Sequence, residues 1–279
     1  MLADVIGLLA CPVCDGGLAI AEGAVRCPKG HAYDIARQGY LNLLAGGAAP
    51  GTADTPSMVA ARDAFLGAGH YRPLADALAE TCVPAAADVA GCVLEVGAGT
   101  GYYLARVLDA MPGRVGLALD ISKHAARRAA AAHPRIGAVV CDAWRGLPVA
   151  DGAAALVLDV FAPRNAAEMA RILAPEGTLL VVTPTARHLA EAAGPLGMLD
   201  IDPDKPDRLA AQLAERFHRT SERVLEWRME LDAGALRALA GMGPSAHHTA
   251  QAVLEERLNA LATPIMVTAS VTLGMYQAH

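Results

Sequence analysis

The sequence predicts an α/β fold with a doubly wound, mostly parallel sheet, preceded by a small metal-binding module. From residue 92 onward, apolar segments of strand length alternate with alanine-rich segments of helical length. The apolar segments are continuously hydrophobic, which is typical of strands buried on both faces of a parallel sheet. Cysteine and histidine residues near the N-terminus are spaced as ligands of a single metal ion.

The individual elements follow from this alternation. The predicted strands are CVLEV, VGLALD, GAVVCD, ALVLDVF and TLLVVTP. Before them, residues 58–83 predict two helices with a bend near Gly69. After them, we expect a helix at 205–219, a strand at 223–231, a helix at 250–261 and a strand at 265–276. The last two strands would form an antiparallel pair at one edge of the sheet.

Composition predicts a soluble, cytoplasmic protein. The chain has 279 residues, of which 54% are hydrophobic, enough to bury a substantial core. The sequence contains no apolar run of about 18–20 residues, and its first residues do not predict a secretory signal. The net charge of −6 argues against an extended nucleic-acid-binding surface, although it leaves room for a local basic patch. We divide the chain into a zinc-binding module (1–44), a linker (45–57) and a main domain (58–279).

The module carries a pattern for structural zinc. Cys11, Cys14, Cys27 and His31 form C-x2-C-x12-C-x3-H, in which each short pair lies on one tight turn. Four protein ligands leave no open position on the ion, so the zinc would be structural rather than catalytic. The alternative is four unrelated loop residues. The other three cysteines, at 82, 92 and 141, lie in apolar surroundings and are predicted to be buried.

A glycine-rich segment follows the first predicted strand of the main domain. EVGAGTG, residues 95–101, stands between CVLEV and a helical segment that begins near Tyr102. Gly97 and Gly99 permit a tight turn and the close approach of a ligand to the backbone. Asp120 ends the next strand, where a carboxylate accepts hydrogen bonds from ribose hydroxyls. By itself the segment also suits a nicotinamide cofactor, and Asp120 could instead cap the following helix.

These motifs together resemble the class I S-adenosylmethionine-dependent methyltransferases, which have a Rossmann-like fold. A dinucleotide site more often continues as G-x-G-x-x-G, but Tyr102 occupies the sixth position here. In methyltransferases of this fold a polar residue after the third strand faces the adenine. The resemblance assigns that role to Asp142, for which a turn or cap position is the alternative.

The whole chain is similar to the 23S ribosomal RNA guanine-N1 methyltransferases. The resemblance rests on ACPVC with CPKGHAYDIARQGYLNLL, on MVAARDAFLGAGHYRPL, and on FAPRNAAEMARIL, VVTPTARHLAE and MGPSAHH. It implies methylation of a guanine in a hairpin loop of 23S rRNA, RNA recognition by the zinc module and pairing into a homodimer. FAPRN and MGPSAHH resemble the Gram-positive branch, some members of which confer tylosin-type macrolide resistance.

The resemblance also completes the predicted cofactor site. It adds Tyr71 from GHY and His188 from RHLAE, which by residue type alone would be a packing tyrosine and a half-buried histidine. The predicted residues for S-adenosylmethionine are Tyr71, Glu95, Gly97, Gly99, Gly101, Tyr103, Leu104, Asp120, Asp142 and His188.

A general base is expected because guanine N1 carries a proton that must leave. Asp159, at the end of the fourth strand, is the candidate, and a purely structural carboxylate is the alternative. Phe161 and Trp144 would stack on a splayed base or else belong to the core. A phosphate-binding surface would use Arg26, Lys29, Arg37, Arg62, Arg72, Arg164 and Arg187.

Two other functions remain open at this point. A small-molecule N- or O-methyltransferase with a structural zinc module fits the negative net charge. A non-catalytic binding protein could use the same scaffold, although the intact glycine segment and Asp120 argue against it.

Overall fold

The zinc-binding module folds as a small ribbon in the computed structural model, which describes residues 2–44, 53–198, 205–247 and 249–279. Most of the predicted linker, residues 45–52, therefore lies outside the described residues. The ribbon contains a three-stranded antiparallel sheet. Its strands are β1 (Ala19–Ala21), β2 (Ala24–Arg26) and β3 (Ala32–Tyr33).

An eight-stranded sheet forms the centre of the molecule. Its strands are β4 (Tyr40–Asn42), β5 (Cys92–Val96), β6 (Gly116–Asp120), β7 (Ile136–Val140), β8 (Ala154–Val160), β9 (Leu173–Pro184), β10 (Phe217–Leu231) and β11 (Ile265–Ala278). They lie in the order β10-β11-β9-β8-β5-β6-β7-β4. Strands β4 to β9 run parallel to one another, and β11 pairs antiparallel with both β9 and β10. The doubly wound sheet and its antiparallel edge pair are confirmed.

Helices cover both faces of the sheet. They are α1 (Leu2–Val5), α2 (Pro56–Gly67), α3 (Arg72–Ala85), α4 (Tyr102–Ala110), α5 (Lys123–Ala132), α6 (Ala166–Ile172), α7 (Ala190–Leu196), α8 (Lys205–Ala214), α9 (Ala233–Met242) and α10 (Gln251–Asn259). Local signals set several of their starts: the side chains of Thr55, Ser122 and Asp232 each accept a hydrogen bond from a backbone N–H of the first turn. Gly69, with φ +84°, separates α2 from α3 as predicted.

Two hydrophobic clusters lie on opposite faces of the sheet. One contains residues of α2, α3, α4 and α9. The other contains Leu9, Leu18 and Val25 of the ribbon together with Leu94 and Leu117 of the sheet. The ribbon therefore shares a core with the main domain.

Strand β4 extends the central sheet from the ribbon side. It pairs parallel with β7, where Leu41 lies opposite Val139, and Leu43 donates its backbone N–H to the Val140 carbonyl. The predicted domain division, at residue 44, thus falls at the end of a segment that belongs to this sheet. No helix among the described residues is long and apolar enough to cross a membrane.

Several sequence-based boundaries are wrong. The strand predicted over 223–231 begins at Phe217, and the strand predicted as TLLVVTP begins at Leu173. The helix predicted over 205–219 ends at Ala214, because β10 begins at Phe217 and pairs with β11 along its length. That pairing partner is distant in the sequence, so local helix propensity did not reveal it. The third strand ends at Val140, two residues before Asp142.

Candidate functional site

Between β5 and β8 the order in which successive strands are added along the sheet changes from one side to the other. These parallel strands are neighbours, and from them the sheet grows outward on both sides. In open α/β sheets the crevice beyond the carboxyl ends of such a strand pair is where ligands bind. Residues after β5 and at the end of β8 line a cavity of about 270 Å³ there, which we call the switch-point cavity.

The glycine loop after β5 requires glycine at three alternate positions. Gly97, Gly99 and Gly101 have φ angles of +63°, +54° and +76°. A Cβ on Gly97 would lie 2.7 Å from the Cβ of Ala162, and one on Gly101 would lie 3.0 Å from the Cα of Ala129. The loop therefore brings bare backbone to the cavity, which is the cradle that a nucleoside cofactor needs.

Six of the residues predicted to bind the cofactor line the switch-point cavity. They are Tyr71, Glu95, Gly97, Gly99, Tyr103 and His188. They come from the residue before α3, from β5, the glycine loop, α4 and the segment after β9, so the fold brings together positions separated by up to 117 residues.

Glu95 is a buried carboxyl at the base of the cavity. It is 1% exposed, and its Oε2 accepts a hydrogen bond of 3.2 Å from the Leu104 backbone N–H. Burial raises the pKa of Glu95 to about 8, and the nearby Asp120 and Asp159 act in the same direction. Glu95 is therefore mainly uncharged at neutral pH. Leu104 reaches the site through this contact.

Tyr71 and His188 form a hydrogen-bonded pair at the opposite wall. Tyr71 Oη lies 3.1 Å from His188 Nε2, and His188 Nδ1 accepts from the Ser270 backbone N–H at 3.1 Å. Burial lowers the pKa of His188 to about 4, so the imidazole is neutral. Since Nδ1 is an acceptor, Nε2 carries the proton and donates it to the Tyr71 oxygen. The Tyr71 hydroxyl hydrogen is therefore available to a different acceptor.

Phe161 stands at the mouth of the cavity. Its backbone has φ +57°, its side chain is 41% exposed, and its ring centroid lies 5.6 Å from His188 and 6.4 Å from Tyr71. Trp144 is 66% exposed. The alternative that these two aromatic residues belong to the core is therefore wrong for both.

Asp120 and Asp142 occupy different surroundings. Asp120 accepts from the backbone N–H groups of Gly99 and Ser122, each at 2.8 Å, so it lies against the glycine loop. Asp142 accepts from the Trp144 N–H at 3.0 Å, which makes it a turn residue. It lines a second cavity, of about 990 Å³, between the ribbon and the loop after β7. Gly101 packs α4 against α5 rather than lining either cavity.

Asp159 is fully buried in β8, at 0% exposure. Its Oδ1 lies 3.1 Å from Arg164 Nη2, and the Arg164 side chain is itself 11% exposed. Neighbours along the strand point alternately to the two faces of the sheet, so Asp159 and Val160 face opposite sides, and Val160 lines the switch-point cavity. The ion pair favours the structural alternative for Asp159, and the catalytic-base role stays a hypothesis.

The ribbon residues form a cluster that fits a zinc ion. One ligand atom from each of Cys11, Cys14, Cys27 and His31 lies within 4.8 Å of all the others. The Cys14 and Cys27 sulfurs are 3.7 Å apart, and His31 Nδ1 is 3.3 Å from the Cys27 sulfur. A tetrahedral ion with Zn–S bonds of about 2.3 Å places its sulfur ligands about 3.8 Å apart.

The surroundings of Cys11 favour the thiolate that zinc requires. Burial opposes ionisation of this thiol, but a hydrogen bond of 3.0 Å from Tyr33 and backbone N–H groups outweigh it. The pKa of Cys11 is consequently lowered to about 6. The other three cysteines, at 82, 92 and 141, are buried as predicted.

Sequence reasoning missed several residues of the cavity. Leu66, Leu189, Leu239 and Met242 reach it from α2, the segment before α7, and α9. Apolar residues on helices carry no motif, so only the packing of those helices over the loop could reveal them. The sequence predicts Arg62 on a phosphate-binding surface, but Arg62 lines the cavity and pairs with Asp54.

Comparisons with known proteins agree with this architecture. The family model described as RlmA, N-terminal, a zinc ribbon, matches residues 9–45, and that of a methyltransferase domain matches residues 93–177. The 23S rRNA (guanine(748)-N(1))-methyltransferase of Streptomyces fradiae is 48% identical, over 98% of this chain and 97% of its own. A Micromonospora griseorubida protein, provisionally named a 23S rRNA (guanine-N(1)-)-methyltransferase, is 49% identical over 99% of both chains.

A solved structure shares the fold at much lower identity. The MccD protein superposes with a TM-score of 0.50 at 18% identity, covering 72% of this chain and 96% of its own. The parallel sheet, the glycine loop at its switch point and the zinc ribbon define an S-adenosylmethionine-dependent methyltransferase with an N-terminal zinc module. The two curated relatives are 49% and 48% identical to this chain over nearly its full length. The chain therefore belongs to the family of 23S rRNA guanine-N1 methyltransferases.

Proposed function

We propose that this protein transfers a methyl group from S-adenosylmethionine to N1 of a guanine in a hairpin loop of 23S rRNA. The observation that carries the proposal is the switch-point cavity, where the glycine loop meets the exposed ring of Phe161. The names of the relatives support the substrate, and the cavity supports the donor. A bound nucleobase would enter past Phe161, because unpaired loop bases stack readily on aromatic rings.

The donor would be held by the residues that line or buttress the cavity. Gly97 and Gly99 would offer backbone contact, Tyr71 and His188 would form the opposite wall, and Asp120 would accept from the ribose. Gly101, Tyr103 and Leu104 would hold the loop and α4 in place, with Glu95 beneath them. The position of Asp142 in a turn favours the alternative to its adenine role. When bound, S-adenosylmethionine supplies an electrophilic methyl group, and the protein contributes chiefly orientation and the exclusion of water.

The zinc ligands would be Cys11, Cys14, Cys27 and His31, and the ion would be structural. The ribbon and the loop after β7 enclose the larger cavity, beside which Trp144 is exposed. We propose that this face contacts RNA, with residues 1–44 as the recognition module, 45–57 as linker and 58–279 as the catalytic domain.

We further propose a homodimer, on the strength of the family resemblance. Light scattering that gives the mass of one chain at micromolar concentration would contradict the dimer.

The deciding experiment is methylation of 23S rRNA by the purified protein. Incubation of unmodified 23S rRNA with S-adenosylmethionine should produce 1-methylguanine, which digestion and mass spectrometry detect and locate. A parallel incubation of a matched RNA whose loop guanine is replaced by adenine should give no product. Donor binding without methylation of any rRNA would instead favour the small-molecule methyltransferase. An absence of donor binding would favour the non-catalytic scaffold.

Resistance is a separate consequence. If the methylated guanine lies near the macrolide site, expression of the protein in a sensitive strain should raise the inhibitory concentration of tylosin. An unchanged inhibitory concentration despite quantitative methylation would remove the resistance role and leave the enzymatic one intact.

Asp159→Asn separates the two roles of that carboxylate. The variant removes one partner of a buried ion pair, which typically costs about 3–5 kcal/mol of folding free energy. We expect chemical denaturation to show a loss of this size, with turnover reduced only as far as the folded fraction falls. If instead stability and donor affinity are unchanged while turnover is lost, Asp159 is the base.

A further inference from the structure

Arg62 brings a positive charge to the switch-point cavity. Its Nη1 lies 3.2 Å from the position that a Cβ on Gly99 would occupy, and its side chain is 27% exposed. Among the described residues that line this cavity, Arg62 is the one with a permanent positive charge. An anionic group is therefore the natural partner for this end of the cavity.

Among the described residues that line the cavity, Glu95 is the one with an acidic side chain, and the Asp54 carboxylate that pairs with Arg62 lies outside this lining. Glu95 is mainly protonated at neutral pH, because burial raises its pKa to about 8. Asp54 pairs with Arg62 Nη1, and the Met242 carbonyl accepts from Nη2 at 2.9 Å. A guanidinium has five N–H donors, so these two contacts leave it able to bind a further acceptor.

A second donor faces the same cavity. His188 donates to the Tyr71 oxygen, so the Tyr71 hydroxyl must itself donate elsewhere. Tyr71 is 3% exposed and lines the cavity. Its hydroxyl would therefore donate to an oxygen atom of a ligand bound in the cavity. A guanidinium and a hydroxyl donor together suit a carboxylate.

We propose that Arg62, assisted by the Tyr71 hydroxyl, binds the α-carboxylate of the methionine moiety of the methyl donor. S-adenosylmethionine carries a sulfonium, an ammonium and one carboxylate, and only the carboxylate complements a guanidinium. This assignment rests on the proposed donor site. It predicts that the chain selects donors and products by their amino-acid tail as well as by their adenosine.

Calorimetry with two ligands tests the assignment without any turnover. S-adenosylhomocysteine and its decarboxylated analogue share the adenosine, the thioether and the amine, and differ only in the carboxylate. The wild-type protein should bind S-adenosylhomocysteine roughly 10- to 100-fold more tightly than the analogue, the range expected for a hydrogen-bonded ion pair. Arg62→Gln should lose this preference by weakening S-adenosylhomocysteine alone, and Tyr71→Phe should reduce it partly.

Two further variants guard the interpretation. Arg106→Gln removes an arginine that pairs with Asp76 at 2.8 Å on the outer side of α4, and it should leave both affinities unchanged. Arg62→Lys keeps the charge but not the planar fork, so its preference should lie between those of the wild type and Arg62→Gln. If circular dichroism shows that Arg62→Gln does not fold, Arg62→Lys carries the test.

The outcomes distinguish this inference from the proposed function. A wild-type protein that binds neither ligand overturns the donor site itself. A wild-type protein that binds both equally overturns only the role of Arg62, as does an Arg62→Gln variant that weakens both to the same extent. An Arg62→Gln variant that loses affinity for RNA but not for S-adenosylhomocysteine would assign Arg62 to the RNA and likewise overturn the inference.

Discussion

A glycine with a left-handed backbone is replaceable only where space allows, as Gly97 of the glycine loop and Gly113, between α4 and β6, illustrate. Gly97 and Gly113 both have left-handed backbones, with φ of +63° and +89°. A Cβ at Gly97 would meet Ala162 at 2.7 Å, whereas a Cβ at Gly113 would have no heavy atom within 4 Å. The two glycines are therefore a matched pair that separates backbone strain from steric conflict.

We expect Gly97→Ala to abolish detectable donor binding, because the loop must move away from Ala162. Gly113→Ala should cost about 1 kcal/mol of folding free energy, the usual cost of this backbone conformation for alanine, and leave donor binding intact. Calorimetry with S-adenosylhomocysteine and chemical denaturation measure both effects. Equal donor affinity in the two variants would show that the loop does not hold the donor.

The raised pKa of Glu95 predicts an unusual dependence of the free energy of unfolding on pH. Its pKa is about 8 in the folded protein, against an ordinary value of 4.5. Below pH 4.5 the carboxyl is protonated in both states. Between pH 4.5 and about 8 only the unfolded chain releases the proton, so the free energy of unfolding falls as pH rises, by about 1.4 kcal/mol per unit.

Glu95→Gln should remove this contribution while keeping an acceptor for the Leu104 N–H. The difference in unfolding free energy between variant and wild type, measured by denaturation without donor, should therefore grow in favour of the variant from pH 5 to pH 8. The raised pKa of Asp120 acts in both proteins and largely cancels in the difference. If the unfolding free energies of variant and wild type differed by the same amount at every pH, Glu95 would be ionised in the folded state.

At the scale of elements, the ribbon supports the sheet through β4. This strand covers the outer edge of β7, and the ribbon's apolar residues belong to the core on that face. Zinc would hold the two turns of the ribbon together, so removal of the ion should destabilise β7, with which β4 pairs. This destabilisation should be confined to the β7 side of the sheet, because β5 lies in the middle, between β6 and β8.

We expect chelation of zinc to accelerate hydrogen exchange of the β7 amides at least about tenfold and to leave the β5 amides protected. Cys14→Ser should lower the zinc content measured with a chromogenic chelator, whereas Cys82→Ser, at a buried cysteine of the main core, should retain one ion per chain. Full zinc content in Cys14→Ser would show that this cysteine is not a ligand.

For the molecule as a whole, RNA binding must overcome an acidic body. The net charge is −6, so attraction to phosphate must come from local cations such as the exposed Lys29 and Arg37 of the ribbon. Arg164 cannot contribute freely, because it pairs with the buried Asp159, and Arg187 pairs with Glu226 at 3.2 Å.

We expect RNA affinity to fall steeply with salt, and the Lys29→Ala/Arg37→Ala variant to reduce the slope of log K against log salt by about 1.4, at about 0.7 per contact with unpaired RNA. Arg106→Ala, on the outer side of α4, should leave the slope unchanged. Fluorescence anisotropy with a labelled RNA hairpin, at salt concentrations from about 50 to about 300 mM, would measure the slope. A salt-independent affinity would contradict phosphate binding.

The sequence by itself determined the features that are local in the chain. The four zinc ligands lie within 20 positions of one another, and the glycine loop is the short segment between β5 and α4. Strand-helix alternation likewise predicted the parallel sheet, because burial on both faces leaves a continuous apolar pattern. The antiparallel edge was predicted from two late strands separated by a long excursion of the chain.

Only the tertiary structure decided which distant residues meet. It placed Arg62 in the switch-point cavity and joined β4 to the central sheet. At shorter range, it paired Asp159 with Arg164. It also left Trp144 exposed and Asp142 in a turn. The place of Arg62 in the cavity and the pairing of β4 with β7 depend on packing between segments far apart in the chain, for which residue type and spacing carry no signal.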